Sequence, residues 1–437
     1  MTAKVSANFH LEPNAMCSGE IQIPGDKSIS HRAVMFASLA EGVSDVDGFL
    51  PSTDCEATLT AFQHMGVQVE RVSEARVRIH GVGLHGLIAP SGPLDMGNSG
   101  TAMRLMAGVL SGQSFFSTLI GDESLSSRPM QRIQKPLLQM GADITSEDQY
   151  TPPLVIQPAD NLTGIDYLLP VPSAQVKSCV LLAGLYAQGK TCVNENTVTR
   201  DHTERMLQAF SYPVAVNEQS ICVEGGGKLQ ATNIEIPGDI SSAAFLMVGA
   251  LISENAVLTL RKVGVNPTRS GVIKILQNMG ADIQLLNKTT MGMEPVADIV
   301  VRSSKLKGIE IPASLVANSI DEFPIIFIAA ACAKGITTLM GAEELRVKES
   351  DRIQAMATGL QSLGVEVLEK PDGLVITGGE VAGGEIDSKG DHRIAMAFAM
   401  ASIKASSAID IKNTENVMTS FPNFVAIATE LGLRISQ

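Results

Sequence analysis

A short residue pattern recurs along this chain and limits what it can fold into. An apolar stretch with helical spacing ends at a glycine, and a short β-branched run follows it. Glycine just past a helix is the usual left-handed stop, and the run after it predicts a strand. Because six copies lie roughly 65–85 residues apart, we predict an internal repeat of α/β units. The copies centre on Gly66, Gly141, Gly280, Gly364 and Gly432, with a degenerate copy at Phe210–Val214.

A second likeness relates the two halves of the chain. Ile21–Asp26 and Ile234–Asp239 each give a strand, a Pro-Gly turn and an aspartate cap, and a helix-like apolar stretch follows both. We therefore predict two homologous halves of about three units each, which meet near residues 21–25 and 234–238. A chain of 437 residues is also too long for one ordinary core.

The charge balance limits the class of partner. A formal net charge of -13 argues against a nucleic acid or an anionic membrane, because both require a basic surface. Small anions stay open, since a few lysines and arginines focused in a cleft bind phosphate on an acidic protein. The longest apolar runs, such as residues 323–333 with Pro324 inside, are too short to span a bilayer.

The cysteines and the N-terminus indicate the compartment. The cysteines are scattered and form no CxxC pair, which predicts reduced thiols in a reducing compartment. They are Cys17, Cys55, Cys179, Cys192, Cys222 and Cys332. Residues 1–10 hold no basic stretch followed by an apolar one, so we expect no signal peptide. The expected location is cytoplasmic.

Polar and basic residues gather where helices begin in the first half. Pro24–Arg32 ends a strand and opens a helix, and helix N-termini bind anions through free N–H groups. The alternative is a capped surface helix with Asp26 as its cap. Asp201 and Glu204 are better explained as a capping box, which leaves Arg200 as the cation. The candidates on this side are Lys27, Ser28, Arg32, Gly100, Arg128, Ser173, Gln175 and Arg200.

The second half supplies acids beside further cations. Asp321 precedes a strongly apolar helix, and its plainest role is to cap that helix. Lys348–Arg352 is dense in alternating charge, which is usual for a solvated helix face. Lys348 and Arg352 on one face repel each other, so an anion held between them beside Glu349 explains them better. Arg393 opens another helix with a basic pair.

Common cofactor and metal motifs are missing or incomplete. Gly81–Gly86 matches GxGxxG, but residues 87–93 behind it are not a helix, which removes the phosphate-binding geometry. There is no GxxxxGK[ST], so ATP is not indicated. His31, His202 and His392 lie far apart without compact ligand spacing. We therefore predict no cofactor and no metal.

Taken in order, these blocks resemble the bacterial class II form of the EPSP synthase family, from Ile21 to Phe424. The likeness is carried by Gly25–Ser28, Gly97–Arg104, Ser173–Lys177, Arg200–Glu204, Asn266–Arg269 and Lys348–Arg352. It implies an α/β fold, a two-domain inside-out α/β barrel with three βαβαββ units in each domain. It also implies a first domain of residues 1–24 plus 238–437 and a second of 25–237, with the active site in the cleft between them.

The reaction that the resemblance implies moves the enolpyruvyl group of phosphoenolpyruvate onto the 5-hydroxyl of shikimate 3-phosphate and releases phosphate. The implied catalytic residues are Lys27, Asp321 and Glu349. Shikimate 3-phosphate would be bound by Lys27, Ser28, Arg32, Ser173, Ala174, Gln175, Arg200, Asp321 and Lys348. Phosphoenolpyruvate would be bound by Lys27, Gly100, Arg128, Gln175, Arg352 and Arg393. We expect these two small molecules as partners and a monomeric chain.

Substrate chemistry is consistent with this set of residues. Both substrates are anionic, and arginine holds a carboxylate or a phosphate through two bonds at once. Attack at C2 needs a proton delivered to C3 and then removed as phosphate leaves. One carboxyl group, Glu349, can do both if its pKa lies near neutrality. Asp321 would sit against the attacking hydroxyl, and Lys27 could serve as acid toward the phosphate. We also hypothesise that Gly100 leaves room for glyphosate beside Lys27.

Two alternatives and one departure accompany this interpretation. The related UDP-N-acetylglucosamine enolpyruvyl transferases carry a reactive cysteine in the first large domain, whereas this chain has none between Cys55 and Cys179. A non-catalytic sugar-phosphate-binding protein would not need Lys27, Asp321 and Glu349 together. Many members of the resembling family carry a lysine just before the last Phe-Pro, where this chain has Thr419–Pro422. One cationic contact to phosphoenolpyruvate is therefore absent from the expected set.

Overall fold

The computed structural model of the chain describes residues 7–147, 150–159 and 161–437. These residues divide into two compact units. The first comprises the chain up to Pro24, Pro237–Thr290 and Pro295–Gln437, and the second comprises Gly25–Ile236 and Met291–Glu294. The prediction made for residues 1–10 falls partly on residues 1–6, which lie outside the described ranges.

Helices and short strands alternate along the whole described chain. The helices are α1 Lys27–Leu39, α2 Thr53–His64, α3 Gly100–Leu110, α4 Glu123–Ser126, α5 Gln131–Gln139, α6 Ala174–Gly184, α7 His202–Ala209, α8 Ile240–Ile252, α9 Gly271–Asn278, α10 Phe323–Ala331, α11 Arg352–Ser362, α12 His392–Ala401 and α13 Phe424–Glu430. Short 3-10 helices lie at Ala313–Leu315, Ala317–Ser319, Glu343–Val347 and Glu415–Thr419.

The strands are β1 Phe9–Leu11, β2 Gly19–Gln22, β3 Ala40–Asp47, β4 Gln68–Ser73, β5 Arg76–Val82, β6 Leu94–Asp95, β7 Ser117–Ile120, β8 Asp143–Ser146, β9 Leu154–Gln157, β10 Asp166–Leu168, β11 Lys190–Asn194, β12 Val214–Val216, β13 Ser220–Glu224, β14 Leu229–Gln230, β15 Ile234–Glu235, β16 Val257–Gly264, β17 Asp282–Met291, β18 Glu294–Arg302, β19 Gly335–Thr338, β20 Glu366–Lys370, β21 Gly373–Gly378, β22 Gly384–Asp387, β23 Ile409–Lys412 and β24 Ile435–Ser436. They are three to six residues long in most cases, which is ordinary for strands. Helices separate many of them, as the predicted α/β repeat requires.

Among the described residues the strands form six small sheets with closely similar topology. The orders are β22-β23-β1-β24, β17-β18-β16-β2, β19-β21-β20, β14-β3-β5-β4 with β15 beside β3, β6-β7-β9-β8 and β10-β11-β13-β12. Four sheets contain one parallel pair at an edge, such as β6 with β7 or β10 with β11, and in a fifth both β14 and β15 pair in parallel with β3. The three-stranded sheet has isolated parallel bridges instead, which join Lys307 to Lys334 and Glu310 to Thr338. One sheet for each copy confirms the predicted repeat.

The turn at the centre of each copy explains why the repeat was visible in the sequence. Gly66 and Gly432 have φ values of 90° and 107°, a left-handed region that glycine enters without steric cost. The other three glycines of the pattern also have positive φ. In the degenerate copy Ser211 takes this place with φ 58°, directly after Phe210, the C-cap of α7. The helix stop is therefore kept in all six copies, although the residue is not.

Each unit has its own apolar core, and the helices are its main contributors. In the first unit every residue of α8 and α10 is buried. A helix that is apolar on all sides belongs inside a protein or a membrane. No helix within the described ranges is long and apolar enough to cross a membrane. In the second unit α1 buries all but its first two residues, so the residues at its start belong to a helix that is packed into the core.

The prediction that every cysteine is a reduced thiol is wrong for one pair. Cys192 and Cys222 lie opposite each other on the antiparallel strands β11 and β13, and a disulfide joins them. They are 30 residues apart in sequence, so only the strand register brings them together. Cys17, Cys55 and Cys179 are free and buried, and Cys332 is free and half-buried.

A thiol count tests this pairing. We expect four thiols to react with a maleimide in denaturant, and all six cysteines after prior reduction. Denaturant is required because burial raises the pKa of Cys17, Cys55 and Cys332 to about 12, so little thiolate forms in the folded protein. Mass spectrometry of the labelled peptides checks the assignment. Six labels without reductant, from protein purified in air, would contradict the disulfide.

Candidate active site

In the second unit a helix cap, a close backbone approach and an ion pair hold the start of α1. Asp26 caps the helix, because its Oδ1 accepts the backbone N–H of Ile29 at 2.9 Å. A Cβ on Gly25 would lie 1.8 Å from the carbonyl oxygen of Gly48, so only glycine fits this close approach. The ammonium of Lys27, the first residue of α1, forms an ion pair with Asp54. The capping role of Asp26 and the position of Lys27 at a helix start are confirmed, but the alternative of a surface helix is wrong, because α1 is buried from Ile29 onward.

Arg32 lies one turn further along α1 and is almost fully buried. Its Nε donates to Thr203 Oγ1 at 2.8 Å, and one terminal nitrogen donates to Ser178 Oγ at 2.7 Å. The other terminal nitrogen donates to the carbonyl oxygen of Ser28 at 3.0 Å. These bonds join α1 to α6 and α7, so the guanidinium is also a structural tie between three helices.

His31 occupies the interior behind these residues. Its Nδ1 lies 2.7 Å from Thr58 Oγ1 and its Nε2 lies 3.3 Å from Ser99 Oγ. Burial lowers the pKa of His31 well below its usual range, and the nearby cations Lys27 and Arg32 lower it further. A neutral imidazole therefore supports Ser99, the residue that caps α3.

The start of α3 forms a cluster with Arg104, Arg128 and Gln175. Arg104 donates to Gln175 Oε1 at 2.8 Å, and Gln175 Nε2 donates to Thr101 Oγ1 at 2.9 Å. Arg128 is buried and donates to Asn98 Oδ1 at 2.8 Å. A Cβ on Gly100 would lie 2.7 Å from Arg104 NH1 and 3.4 Å from Arg128 NH1. The absence of a side chain at residue 100 thus lets two guanidinium groups approach the backbone closely.

The start of α6 and the segment before α7 complete the group in the second unit. Ser173 caps α6, with its Oγ accepting the backbone N–H of Val176 at 3.4 Å. Ala174 and Gln175 are the first two residues of the helix. The predicted capping box before α7 is wrong, because the Asp201 side chain makes no cap hydrogen bond and instead accepts Arg205 Nε at 2.8 Å. Glu204 forms an ion pair with Lys177 instead.

A buried ion pair organises the first unit's group. Arg352 is the first residue of α11 and its side chain is 1% exposed. Its Nε donates to Asp391 Oδ2 at 2.8 Å, and a terminal nitrogen donates to Glu349 Oε2 at 2.7 Å. The remaining terminal nitrogen lies 3.5 Å from Asp321 Oδ1. Although burial disfavours the charge, the carboxylates of Asp391 and Glu349 outweigh it and raise the pKa of Arg352.

Arg393 and Lys348 stand next to the same acids. Arg393 donates to the carbonyl oxygen of Asp321 at 2.7 Å, and its side chain lies 3.5 Å from Glu322 Oε1. Burial lowers the pKa of Arg393 from its usual value. Lys348 Nζ lies 3.9 Å from Asp321 Oδ1. Cations and carboxylates therefore alternate around Asp321.

Two of the alternative explanations from the sequence are wrong here. The residues from Lys348 to Arg352 are not one solvated helix face, because α11 begins only at Arg352 and Lys348 follows a 3-10 helix that ends at Val347. The prediction that Lys348 and Arg352 repel each other on one helix face is wrong for the same reason. Asp321 does not cap α10, whose cap position is Glu322. Just before the last Phe-Pro, many members of the resembling family carry a lysine. In this chain Ser420 lies there, and its Oγ is 3.0 Å from His392 Nε2.

The structure thus gathers the predicted site residues into two groups, one in each unit. The second unit holds Lys27, Ser28, Arg32, Gly100, Arg128, Ser173, Ala174, Gln175 and Arg200, and the first unit holds Asp321, Lys348, Glu349, Arg352 and Arg393. Among these, Arg352 contacts Glu349 directly and lies 3.5 Å from Asp321, and Gln175 contacts Arg104, which was not predicted as a site residue. Each group can bind anions, and the group in the first unit also holds carboxylates beside arginines, which suits proton transfer.

Sequence reasoning missed several residues that hold these groups together. Asp54 pairs with Lys27, Arg104 with Gln175, and Asp391 with Arg352. Asp391 also caps α12 through the backbone N–H of Arg393 at 2.9 Å. Its position directly before a predicted helix was the one available signal, because aspartate is a preferred cap. For Asp54 and Arg104 the partners are distant in sequence, and no local pattern marks them.

The chain is similar to known proteins over nearly its whole length. Residues 11–427 match the family model for EPSP synthase (3-phosphoshikimate 1-carboxyvinyltransferase). The chain is 59% identical over 427 residues to the 3-phosphoshikimate 1-carboxyvinyltransferase of Methylococcus capsulatus, with 98% of each chain covered. It is 56% identical over 430 residues to that of Legionella pneumophila, covering 98% of this chain and 99% of the relative. The solved EPSP synthase of Acinetobacter baumannii superimposes with a TM-score of 0.88 at 53% identity, over 98% of this chain and 100% of the other.

Proposed function

The chain belongs to the EPSP synthase (3-phosphoshikimate 1-carboxyvinyltransferase) family, and from that premise we propose the part that its residues play in the reaction. The enzyme transfers the enolpyruvyl group of phosphoenolpyruvate to the 5-hydroxyl of shikimate 3-phosphate, a step of aromatic amino acid biosynthesis. Its fold is the α/β enolpyruvyl transferase fold. We further propose that the two units are the two domains of this fold and that both groups of residues act on one pair of substrates.

Phosphoenolpyruvate carries a carboxylate and a phosphate, and both require cations. We propose that Lys27, Arg128, Arg352 and Arg393 supply them, with Gly100 and Gln175 beside the ligand. Support comes from the glycine at residue 100, where a side chain would press against Arg104 and Arg128. Further support comes from Asp391, which fixes the Nε side of Arg352. Pre-positioned guanidinium groups bind anions without a further ordering cost.

Shikimate 3-phosphate brings a phosphate, a carboxylate and hydroxyls. We propose that Ser28, Arg32, Ser173, Ala174, Gln175 and Arg200 hold it, together with Lys27, Lys348 and Asp321. The starts of α1 and α6 present backbone N–H groups, which suit phosphate. The ties of Arg32 to Ser178 and Thr203 link the same helices from which these ligands project.

The chemical step needs a base, an acid and a proton carrier. In the proposed sequence the 5-hydroxyl oxygen attacks C2 of phosphoenolpyruvate and loses its proton toward Asp321, while Glu349 gives a proton to C3. The C2–O bond to phosphate then breaks, Lys27 serves as acid toward the leaving phosphate, and Glu349 takes a proton back from C3. The single observation that carries this proposal is Arg352, which contacts Glu349 at 2.7 Å and lies 3.5 Å from Asp321. Both carboxylates are thereby held beside one cation.

Two other readings are weaker. A UDP-N-acetylglucosamine enolpyruvyl transferase would need the reactive cysteine, and the relatives that match this chain are named for shikimate 3-phosphate. A non-catalytic sugar-phosphate binder would not need the alternating acids and cations around Asp321. We also propose that the enzyme acts without a metal, as a monomer and in the cytoplasm. The disulfide between Cys192 and Cys222 is more typical of an oxidising compartment.

Phosphate release tests the reaction directly. Purified enzyme is mixed with shikimate 3-phosphate and phosphoenolpyruvate in EDTA, and free phosphate is measured with each substrate omitted in turn. We expect release only when both substrates are present, with EDTA without effect. Release with UDP-N-acetylglucosamine in place of shikimate 3-phosphate would overturn the substrate. Folded protein that releases no phosphate with either acceptor would point to a binding protein.

Gly100→Ala should weaken phosphoenolpyruvate binding. The new methyl group would crowd Arg104 and Arg128, so we expect KM for phosphoenolpyruvate to rise about tenfold or more.

Glyphosate, if it occupies the same space, should inhibit the wild type and lose potency in the variant. Gly92→Ala is the matched control, because a Cβ there meets no atom within 4 Å. Inhibition absent at millimolar glyphosate, with normal turnover of the wild type, would rule out the glyphosate hypothesis.

A further inference from the structure

Lys177 on α6 holds a buried charge cluster that has no place in the reaction described above. Its side chain is 1% exposed, and its Nζ lies 2.8 Å from Glu204 Oε1 and 3.1 Å from Glu195 Oε1. The same nitrogen donates to the carbonyl oxygen of Thr199 at 3.3 Å. An ammonium has three N–H donors, so these partners use all of them. Lys177 is therefore a fully committed cross-link between α6, α7 and the segment that joins β11 to α7.

Glu195, at the start of that segment, is hydrogen-bonded to Thr199 near its end. One carboxylate oxygen accepts the backbone N–H of Thr199 at 3.1 Å, and the other accepts the Thr199 hydroxyl at 2.7 Å. With the carbonyl bonded to Lys177, every polar group of Thr199 is held. The next residue in the chain is Arg200. The backbone from which Arg200 projects is thus set by the Lys177–Glu195 pair.

The other end of the cross-link lies on the first turn of α6. The backbone N–H of Lys177 bonds to the carbonyl oxygen of Ser173 at 3.0 Å, and Ser173 caps the helix. One side chain thereby sets the distance between Ser173, Ala174 and Gln175 on α6 and Arg200 after the segment. A second tie runs beside it, where Ser178 Oγ lies 2.7 Å from Thr203 Oγ1. Two consecutive residues of α6 are therefore bonded to the start of α7 or the segment before it.

The charge of this cluster argues for a geometric role rather than a stabilising one. One lysine faces two glutamates out of water, and burial raises the pKa of Glu204 although Lys177 opposes it. A buried ion pair is a weak source of stability, since well-packed apolar residues do as well or better. Buried charges that are bonded in a fixed geometry do set direction and distance, as the outer partners of metal ligands do.

We propose that Lys177, with Glu195 and Glu204, is the positioning residue that sets Arg200 relative to Ser173 for binding shikimate 3-phosphate. This inference rests on the proposed function, in which Ser173, Ala174, Gln175 and Arg200 hold that substrate. Lys177 does not itself contact the substrate in this scheme. Its loss therefore weakens binding of shikimate 3-phosphate, and binding of phosphoenolpyruvate changes little.

Thr199→Val is the least disruptive test, because it removes one hydroxyl bond to Glu195 and keeps the shape. We expect the Kd for shikimate 3-phosphate, by titration calorimetry without phosphoenolpyruvate, to rise about three- to tenfold. KM for shikimate 3-phosphate should rise by the same factor, with kcat and KM for phosphoenolpyruvate within about twofold of wild type. Lys177→Met, which removes the whole cross-link, should raise the Kd about tenfold to a hundredfold.

Thr191→Val is the matched control, because Thr191 is buried on β11 of the same unit and its hydroxyl finds no hydrogen-bond partner among the described residues. Its Kd for shikimate 3-phosphate should equal that of the wild type. A merely structural role of the cluster would lower the melting temperature of Thr199→Val and leave both Kd and KM unchanged, and that result overturns the inference. Wild type that neither binds shikimate 3-phosphate nor releases phosphate with it would instead overturn the proposed function.

Discussion

Replacing Glu349 by glutamine should lower kcat by about 10²–10⁴-fold, the usual contribution of a positioned general acid or base. The amide keeps the size of the side chain and can still accept a bond from Arg352, which lies 2.7 Å away in the native protein. It cannot give a proton to C3 of phosphoenolpyruvate or take one back. We therefore expect the KM values for both substrates to change much less than kcat. Steady-state phosphate release with both substrates saturating is the measurement.

Glu343→Gln provides the matched control for this variant. Glu343 lies in the 3-10 helix just before Glu349, is exposed, and loses the same charge on substitution. Its kcat should match that of the wild type. A Glu349→Gln enzyme within about threefold of wild-type kcat would remove Glu349 from the proton path, since a general acid or base contributes far more than that. Exchange of the C3 protons with solvent deuterium offers a second readout, which should fall in parallel with kcat.

Replacing Arg352 by methionine should destabilise the enzyme by about 3–5 kcal/mol, because the buried carboxylate of Asp391 would lose its charged partner. The side chain of Asp391 is fully buried, so water cannot replace the guanidinium. Activity should also collapse, since the same guanidinium is proposed to bind phosphoenolpyruvate. The shift in urea midpoint, followed by circular dichroism, measures the stability loss.

Two further variants separate the sources of that loss. Arg346→Met is the control, because Arg346 is only partly buried and its ion pairs with Asp351 and Glu369 are near the surface, where such pairs contribute about 0–1 kcal/mol. Arg352→Met combined with Asp391→Asn should recover part of the lost stability without recovering activity. If Arg352→Met has the same free energy of unfolding as Arg346→Met, the buried carboxylate of Asp391 is not stabilised by Arg352, and the prediction is wrong.

Repetition and local signals made much of the fold predictable. The left-handed turn after each helix leaves a glycine in five of six copies, and Pro-Gly-Asp marks the start of both α1 and α8. These are short-range requirements of backbone geometry, so they are written in neighbouring residues. The residues placed at helix starts, such as Lys27 and Ser173, were therefore predictable as a group.

Long-range pairings were not predictable, because they depend on how elements pack. Asp54 meets Lys27 and Asp391 meets Arg352 only after helices distant in sequence have packed. The same holds for Glu204, whose spacing from Asp201 suggested a capping box but whose partner is Lys177. The spacing of Asp201 and Glu204 is that of a capping box, but the buried Lys177 on α6 binds the Glu204 carboxylate instead. The Cys192–Cys222 disulfide likewise depends on strand register alone.

The likeness between the starts of α1 and α8 has a practical consequence for anyone altering this enzyme. Both helices follow Pro-Gly and are capped by an aspartate, yet the next residue is Lys27 in one and Ile240 in the other. The two helix starts therefore show that the position after the aspartate cap accepts either a lysine or an isoleucine. A variant designed to remove the cation at the start of α1 can therefore take the residue that occupies the equivalent position of α8, which is isoleucine. The second helix start thus serves as an internal reference, which has the same cap but lacks the cation.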